Sequence, residues 1–423
     1  FSDVVLNLAR RYNVPIETID APQQERLKQQ LSRREKLYSL MTKASGWFQK
    51  QLQSPTGLAA LNYLRNDRKF KDGTVLSFCL GYAPNKWDSL FNYFVNVENI
   101  SIDLLEASGL ILPRKNGSGF YDRFRERLII PIYDRQKRVV GFGGRSLDGS
   151  EPKYLNSPET EIFEKGKQLF GLEKASGSIR SNDAAVVVEG YFDVIALHEA
   201  GITNAVASLG TALSSNQITQ LCRCTESKRI ILNFDADAAG VRAANRAITE
   251  VENLAMMGQL ELKVLQLPSG KDPDEFLKLH SSSEYNALVD NAPLWLDWQF
   301  DHSIHGLDLT KSDQFQSAVS ELVKLLGKLP QSALRTHYLQ KAAERLSGGH
   351  SRVAIQLEED LRKQVKGQRW HGRSQRHEKP EEATLRERCE AEILFFYINA
   401  PENRSFIRRE LRNRELDDFA IYF

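Results

Sequence analysis

The sequence has no apolar run near the roughly 20 residues needed to cross a bilayer, which excludes an ordinary membrane-spanning helix. Cysteine is also scarce, with four residues in a chain of 423. This low count argues against a disulfide framework and favours a reducing compartment. Cys222 and Cys224 form a C-x-C pair, but no second ligand pair at zinc-like spacing follows, and none of the eight histidines completes one. We therefore interpret the cysteines as ordinary thiols.

The composition is that of a globular protein of two or three domains. Hydrophobic residues make up 41% of the chain and charged residues 26%, which is too apolar for a disordered protein. The net charge of +2 says little, because charges of opposite sign can be segregated along the chain. The sequence opens on Phe1 with no signal-like segment, so we expect it to lie inside a longer protein.

Residues 184–268 alternate between short apolar runs rich in β-branched residues and helix-like stretches. Such alternation predicts parallel strands joined by crossover helices, and therefore an α/β fold, within a chain that is α+β overall. Ser214 or Ser215 is expected to cap the second of these helices. The predicted strands are AAVVVEG, NAVASLG, RIILNFD and ELKVLQL.

The rest of the chain divides by composition and periodicity. LIIPIYD and RVVGFGGRSL predict a β-hairpin with a turn at Asp134–Lys137, and PKYLNSPETEIFEKG predicts a loop. Phe315, Val319, Leu322 and Leu326 form one stripe of a helical region. We predict five parts: a mixed α/β basic subdomain at 1–183, the parallel-sheet subdomain at 184–272, a helical subdomain at 273–365, a linker at 366–384 and a final helical segment at 385–423.

Three acidic clusters follow or flank the predicted strands. Glu189 ends the first strand, Asp235 and Asp237 end the third, and Asp272 and Asp274 follow the last. The carboxyl ends of parallel strands meet at one edge of a sheet, so these side chains are expected to converge. Carboxylate oxygens are the ligands that Mg²⁺ prefers, and two ions could align an attacking hydroxyl with a phosphate.

Each acidic cluster also has a plainer explanation. Asp193 falls in the first turn of a predicted helix, where an acid favours the helix dipole. Asp235 and Asp237 with Gly240 form a D-x-D-x-x-G turn of ordinary loop residues. A surface loop explains Asp272 and Asp274 about as well as a second metal position does. Glu189 fits such readings poorly, because a carboxylate at the end of a buried strand is costly unless it is paired or bound to metal.

A basic segment lies upstream of the acids. Between Pro113 and Arg145 there are nine Lys or Arg against three acids. Arg123, Arg125 and Arg127 alternate along the chain, which places them on one face if it is extended, where they could bind single-stranded nucleic acid or phosphates. A solvated charged face is the alternative. Three aromatic residues are interleaved and offer stacking surfaces: Phe120, Tyr121 and Phe124.

At these residues the chain resembles the bacterial DnaG-type DNA primases. The resemblance covers most of the sequence, and its middle part resembles the TOPRIM domain shared by primases and type IA and II topoisomerases. The family's signature segments appear here in the same order: YDRFRERLIIPIYDRQKRVVGFGGRSL, PKYLNSPETEIFEKG, VVVEGYFDVIAL, AVASLGTAL and FDADAAG.

The resemblance implies a role for each group of residues. Glu189, Asp235 and Asp237 would hold Mg²⁺ or Mn²⁺, as two or more ions, and Asp193, Asp272 and Asp274 would complete the acidic centre. The catalytic residues would be Glu189, Asp193, Asp235 and Asp237. Asp272 and Asp274 would form a second metal position. Arg145, Lys153, Tyr154, Asn156 and Lys165 would bind the incoming ribonucleoside triphosphate and the primer, and Arg68, Arg123, Arg125 and Arg127 the single-stranded DNA template.

Two departures from the family qualify this expectation. The zinc ribbon that opens family members is missing, so zinc is not expected here, although FSDVVLNLARRYNV resembles its tail. Only the beginning of the helicase-docking domain is expected, at 385–423, which leaves binding of the replicative helicase in doubt. We expect a monomer without membrane association, in the cytoplasm at the replisome or in a plastid.

Three other functions compete with primer synthesis. A topoisomerase would need a catalytic Tyr in a separate domain, and Tyr191, beside Glu189, is better explained as a packing residue. A primase–helicase fusion would need a G-x-x-x-x-G-K-[ST] loop, which PSGKDPD does not match. A non-catalytic nucleic-acid scaffold would have lost the acidic set, and that set is complete.

Overall fold

The computed structural model describes residues 21–375, apart from 115–116, 211–212, 236, 269–270 and 331. At 21–28, 238 and 368–375 only the backbone is described. The chain forms two compact units that divide between Asp301 and His302. The helical subdomain was predicted to begin at residue 273, whereas 273–301 belongs to the first unit. The predicted final segment, 385–423, lies outside the described residues.

The first unit opens with helices. The apolar residues Leu37, Leu40, Met41, Ala44 and Phe48 recur every three or four positions in the first helix, and all are buried in one core cluster. The following chain is broken into short pieces, including a π-helical turn at Tyr63–Asp67. The α-helices here are α1 (Ala21–Leu52), α2 (Leu58–Asn62), α3 (Asp72–Ser77), α4 (Ser89–Asn96) and α5 (Ile102–Ala107).

Two antiparallel sheets follow, and they contain the predicted hairpin. Its turn is fixed by Asp134, whose carboxylate accepts the N–H groups of Gln136 and Arg138 at 2.9 and 3.0 Å. Part of the segment predicted as a loop forms an edge strand, β6, because it pairs with β5. The strands are β1 (Gly81–Ala83), β2 (Ile111–Pro113), β3 (Phe120–Asp122), β4 (Arg127–Tyr133), β5 (Val139–Ser146) and β6 (Tyr154–Asn156), in sheets ordered β1-β4-β5-β6 and β2-β3.

The predicted parallel sheet is confirmed. Its four strands are ordered β10-β9-β7-β8, all parallel, and their side chains are almost entirely buried. Ser214 is the N-cap of the second crossover helix, and its hydroxyl accepts the N–H of Gln217 at 3.2 Å. The elements are α6 (Leu172–Asn182), β7 (Ala184–Val188), α7 (Tyr191–Glu199), β8 (Ala205–Ala207), α8 (Ser215–Cys222), β9 (Arg229–Asn233), α9 (Ala238–Met256) and β10 (Glu261–Leu265).

Three helices follow the parallel sheet: α10 (Pro273–Leu277), α11 (Ser282–Asp290) and α12 (Trp295–Ile304). Helix α11 is fixed to the sheet through Tyr285, which is fully buried and donates to the side-chain oxygen of Asn233 at 2.7 Å. Asn233 is the last residue of β9. This contact therefore supports the carboxyl end of the sheet, where the acidic residues follow.

The described part of the second unit is helical, as predicted, with α13 (Ser312–Lys328), α14 (Ala333–Leu346) and α15 (Ser351–Gln375). Leu322 and Leu326 of the predicted stripe are fully buried, while Phe315 and Val319 are half-buried. The linker predicted at 366–384 is wrong for its first part, because α15 continues to Gln375. Its KGQRWHGRSQ contains no proline, and Lys, Gln and Arg are good helix formers. No helix among the described residues is both long and apolar enough to span a membrane.

Candidate functional site

The structure brings the first two acidic clusters together. Strands β7 and β9 are neighbours in the parallel sheet, so Glu189 and Asp235, which follow them, lie at the same edge. The backbone N–H of Asp235 donates to Oε1 of Glu189 at 3.1 Å. The predicted convergence of these two residues, which are 46 positions apart in sequence, is therefore confirmed.

Electrostatics shows how closely the acids approach one another. Burial raises the pKa of Glu189, and the charge of Asp237 raises it further. Burial and the charges of Glu189 and Asp272 raise the pKa of Asp235 to about 6. The pKa of Asp193 lies well above its usual value, because it is buried beside Asp272 and Asp235. These five carboxylates share one field of concentrated negative charge.

Three of the acids also cap helices. Asp237 accepts the N–H groups of Ala239 and Gly240 at 2.8 and 2.7 Å, at the start of α9. Asp272 accepts the N–H of Glu275 at 2.7 Å, at the start of α10. Asp193 accepts the N–H of Gly190 at 2.9 Å, at the start of α7. The dipole explanation given for Asp193 is therefore compatible with its place in the cluster.

Asp274 differs from the other acids because two cations already neutralise it. It is 2% exposed and forms ion pairs with Arg68 and with Lys278, the latter at 3.0 Å. Arg68 also donates to the Tyr63 hydroxyl at 2.6 Å and stacks on Phe192 at 4.3 Å. The resemblance implied that Arg68 contacts template and Asp274 binds metal. In the structure the two side chains form an ion pair with each other, and Arg68 is half-buried, so both roles stay predictions.

The residues present suit a divalent cation in donor type and charge. All the donors are hard carboxylate oxygens, and the mutual repulsion that raises their pKa values is relieved by a cation. Among the described residues, no group of three His, Cys, Asp or Glu side chains is arranged to hold a metal ion by itself. Mg²⁺ often binds through one or two carboxylates, with waters and substrate phosphates as its other ligands. Such an open site is compatible with this arrangement.

Arg145, on β5, is the most informative of the predicted nucleotide-binding residues. Its Nε and Nη1 atoms are buried and have no hydrogen-bond partner among the described residues. Its guanidinium stacks on the rings of Tyr63, Phe192 and Tyr154 at 4.9, 5.5 and 5.7 Å. Buried polar groups are normally paired. Arg145 is therefore prepared for an anionic ligand.

Tyr154 is where the nucleotide-binding set meets the acids. Removal of its phenol from water raises its pKa to about 12, opposed by the nearby charges of Arg145 and Arg68 and supported by that of Asp193. The positive and negative halves of the site are thus within electrostatic reach of one side chain.

The remaining residues predicted to bind nucleotide differ in how far their side chains are free to contact a ligand. Lys153 is exposed beside Tyr154. Lys165 begins a short 3₁₀ turn whose first carbonyl accepts from the side chain of Gln217 at 3.2 Å. The side chain of Asn156 is engaged within the protein, with Tyr191 and with the carbonyl of Leu209. The structure thus brings Asn156 to the site without showing it open to a ligand.

The three arginines predicted to share one face do not share it. Glu126 has a φ of 49°, so the chain turns there and is not extended. Arg127 is 5% exposed and donates to the carbonyls of Gly144 and Pro152 at 3.2 and 2.8 Å. Its burial and its hydrogen bonds to backbone carbonyls weigh against the template role implied for it, which stays a prediction. Arg123 donates to the carbonyl of Asn156 at 2.7 Å.

Arg125 contacts an aromatic platform of Trp87 and Tyr121, of which sequence reasoning missed Trp87. Its guanidinium stacks 4.2 Å from the ring of Trp87 and 5.2 Å from that of Tyr121. Trp87 is 59% exposed. Of the other predicted stacking residues, Phe124 is buried, while Phe120 is stacked on Phe91 at 6.1 Å. The sequence signal for an exposed Trp87 was its place in the polar stretch NKWDS, which offers no apolar neighbours to bury the ring.

Three family models match consecutive parts of the chain. The model described as DNA primase catalytic core, N-terminal domain, matches residues 47–176, and a Toprim-like model matches 186–277. A model described as the DnaB-helicase binding domain of primase matches 296–350, upstream of the 385–423 segment where the sequence analysis placed helicase docking.

Curated relatives and solved structures agree with these matches. The DNA primase of Synechococcus elongatus is 55% identical over 421 residues, which is 100% of this chain and 61% of the relative. The DNA primase of Escherichia coli K12 is 35% identical over 82% of this chain and 58% of the relative, so this chain spans about three fifths of their length.

Two solved structures show the same likeness in three dimensions. A DnaG primase catalytic domain bound to ssDNA is similar with a TM-score of 0.63 and 35% identity, over 75% of this chain and 98% of the other. The RNA polymerase domain of Mycobacterium tuberculosis primase DnaG in complex with double-stranded DNA has a TM-score of 0.65 and 32% identity, over 75% and 99%.

Proposed function

This chain belongs to the DnaG-type bacterial DNA primases, and on that basis we propose that it makes short RNA primers on single-stranded DNA. The reaction is nucleotidyl transfer: a primer 3′-hydroxyl attacks the α-phosphate of a ribonucleoside triphosphate, forms a phosphodiester and releases pyrophosphate. The observation that carries the proposal is a group of five interacting carboxylates, with the buried, unpartnered Nε and Nη1 atoms of Arg145 across Tyr154 from them.

The two halves of the site have separate tasks in this proposal. Glu189, Asp235 and Asp237 would hold a Mg²⁺ or Mn²⁺ ion together with waters and substrate phosphates as further ligands. Such an ion would supply charge neutralisation at the reacting phosphate and would make the attacking hydroxyl more acidic. Asp193 and Asp272 add to the field that attracts the cation. Asp274 keeps Arg68 in place through their ion pair.

Arg145 receives the triphosphate in this proposal, because a phosphate supplies the hydrogen-bond acceptors that Nε and Nη1 lack. The aromatic rings around Arg145 hold its guanidinium in a fixed orientation and keep water away from it. In this proposal Lys153, which is exposed, and Lys165, which is half-buried, add positive charge to the nucleotide site. The phenol of Tyr154 is within electrostatic reach of both Arg145 and Asp193.

Template binding is assigned to Arg125 and the exposed ring of Trp87. An aromatic ring beside a cation is the usual platform for an unpaired base, and such stacking contributes about 1–3 kcal/mol per base. Trp87→Ala should therefore weaken binding of a single-stranded oligonucleotide by roughly tenfold or more, and Trp87→Phe by much less. Arg65→Ala is a control, because Arg65 is exposed but is paired with Asp72, in a part of the sequence separate from Trp87 and Arg125. It should leave oligonucleotide binding nearly unchanged. If Trp87→Ala and wild type bound the oligonucleotide with equal affinity, Trp87 would not be part of the template-binding surface.

Partners and location follow from family membership as further parts of the proposal. The match of residues 296–350 to a helicase-binding model supports docking of a replicative helicase on the helices in that range. We place the protein in the cytoplasm, as a monomer that associates with the replication machinery.

Glu189→Gln provides the test of the catalytic proposal. With single-stranded template, ribonucleotides and Mg²⁺ or Mn²⁺, wild type should make oligoribonucleotides and this variant essentially none. Its stability without metal should be equal or higher, because burial already disfavours the charged form of Glu189. Glu199→Gln is a matched control, since Glu199 bonds the N–H of Lys71 at 3.2 Å, away from the acids. Undiminished synthesis by Glu189→Gln would overturn the assignment and leave a nucleic-acid scaffold.

A further inference from the structure

Asn156 is held from three directions. Its side-chain nitrogen donates to the carbonyl of Leu209 at 2.9 Å, and its side-chain oxygen accepts from the hydroxyl of Tyr191 at 2.7 Å. Its backbone carbonyl accepts two hydrogen bonds from Arg123, at 3.2 and 2.7 Å. The last residue of β6 is thus fixed to the loop after β8, to the start of α7 and to the basic segment.

Tyr191 is fixed equally firmly. It is 6% exposed, and its ring meets that of Phe170 edge to face at 4.9 Å. A Cβ atom on Gly143 would lie 2.7 Å from Cζ of Tyr191, so the ring packs directly on the backbone of β5. In sequence, Tyr191 stands two residues after Glu189 and two before Asp193. Movement of Tyr191 would move the acidic loop with it.

We propose that the Asn156–Tyr191 hydrogen bond links the nucleotide-binding strand to the acidic loop, and that Asn156 is a positioning residue rather than a nucleotide ligand. Strand β6 pairs with β5 in a register that sets Asn156 opposite Gly143 and Tyr154 opposite Arg145. The link therefore holds Arg145 and Tyr154 at a fixed place relative to Glu189. This inference rests on the proposed function, because the positioning matters only if nucleotide and metal bind together.

A double-mutant cycle separates positioning from direct contact. Tyr191→Phe removes only the hydroxyl and keeps the ring on Gly143. It should weaken binding of a fluorescent ribonucleoside triphosphate in Mn²⁺ by about tenfold, which corresponds to ~1.4 kcal/mol. Asn156→Ala should cost about the same, and the double variant little more than either. In primer synthesis the KM for nucleotide should rise more than kcat falls.

The chain offers matched controls. Tyr82 is buried to the same degree, 5% exposed, and its hydroxyl donates to Glu126 at 3.1 Å, so Tyr82→Phe should leave nucleotide affinity unchanged. Gly143→Ala perturbs the link while keeping both partners, and it should reproduce the loss. On the same strand, Gly141→Ala meets only the ring of Phe163 at 3.1 Å and should have a much smaller effect.

Two results would overturn the inference. Asn156→Ala could weaken nucleotide binding while Tyr191→Phe binds as wild type does, which would make Asn156 a direct ligand. Alternatively, the single variants could bind as wild type does and differ only in Tm. Hydrogen exchange at Tyr154–Asn156 reports the link without any nucleotide, and Tyr191→Phe should accelerate it. If wild type failed to bind nucleotide, the proposed function would fail, while unchanged exchange would refute the link.

Discussion

Glu173, on α6, shows how strongly a single buried carboxyl can depend on pH. Its Oε2 atom is buried and has no hydrogen-bond partner among the described residues. Burial raises its pKa to about 7; Lys174 and Lys137 oppose that rise and Asp134 adds to it. Folding therefore favours the protonated form of Glu173, and stability is greatest where the group is protonated in both folded and unfolded chains.

Glu173→Gln should remove this dependence. The contribution of Glu173 to stability is complete below its usual pKa of 4.5 and is lost as pH rises through about 7. The variant should gain about 2 kcal/mol in unfolding free energy relative to wild type between pH 4.5 and pH 8. Chemical denaturation at several pH values in metal-free buffer measures this difference. A constant difference across the range would show that Glu173 titrates normally.

At the level of single residues, the positions of the acidic side chains could be predicted from the sequence better than those of the arginines. Glu189 and Asp235 were predictable, because strand ends in a parallel sheet must meet at one edge. Arg127 and Arg68 were not, because their partners are backbone carbonyls and a carboxylate that become neighbours only after folding. For the same reason the link between Asn156 and Tyr191 left no trace in sequence.

The start of helix α9 depends on one glycine. A Cβ atom on Gly240 would overlap the carbonyl oxygen of Asp235 and lie 2.8 Å from its nitrogen. The same nitrogen donates to Glu189. Gly240 therefore lets the helix begin directly against the backbone of Asp235.

Gly240→Ala should displace the backbone of Asp235 and weaken Mn²⁺ binding, together with a loss of roughly 1–3 kcal/mol in stability. Gly177→Ala is the matched control, because Gly177 is an exposed helical glycine and a Cβ added there would have no atom within 4 Å. That change should stabilise α6 by up to about 1 kcal/mol and leave Mn²⁺ affinity alone. Titration calorimetry with Mn²⁺ measures the affinity of both variants, and chemical denaturation measures their stability. Equal Mn²⁺ affinity in the two variants would contradict this role of Gly240.

Elements were predictable where patterning and burial agreed. Strands β7 and β9 are largely apolar and almost entirely buried inside the sheet, while the edge strand β10 alternates half-buried and buried residues, and all three lie as predicted. Strand β6 was missed because only three residues pair and polar neighbours conceal them. The helical part of 366–375 was missed because this stretch is polar and basic and was interpreted as a linker. Polarity does not decide between a helix and a linker, whereas packing and helix propensity do.

The whole molecule consists of two compact units, and its proposed metal ligands all belong to the first. We expect two unfolding transitions in calorimetry, one for each unit. Mn²⁺ at about 100 times its dissociation constant should stabilise the first unit by ~2.7 kcal/mol and leave the other transition in place. The Asp235→Asn variant should lose most of that shift. A shift of both transitions, in wild type and variant alike, would mean that Mn²⁺ binds elsewhere.

Anomalous diffraction from crystals grown with Mn²⁺ tests the central claim most directly, because it locates the ion without assuming any activity. The claim is that carboxylates distant in sequence gather a divalent cation beside the buried guanidinium of Arg145. A manganese peak contacting the carboxylates of Glu189 and Asp235 is the predicted result. A peak away from those residues, with the acids still clustered as described, would contradict it.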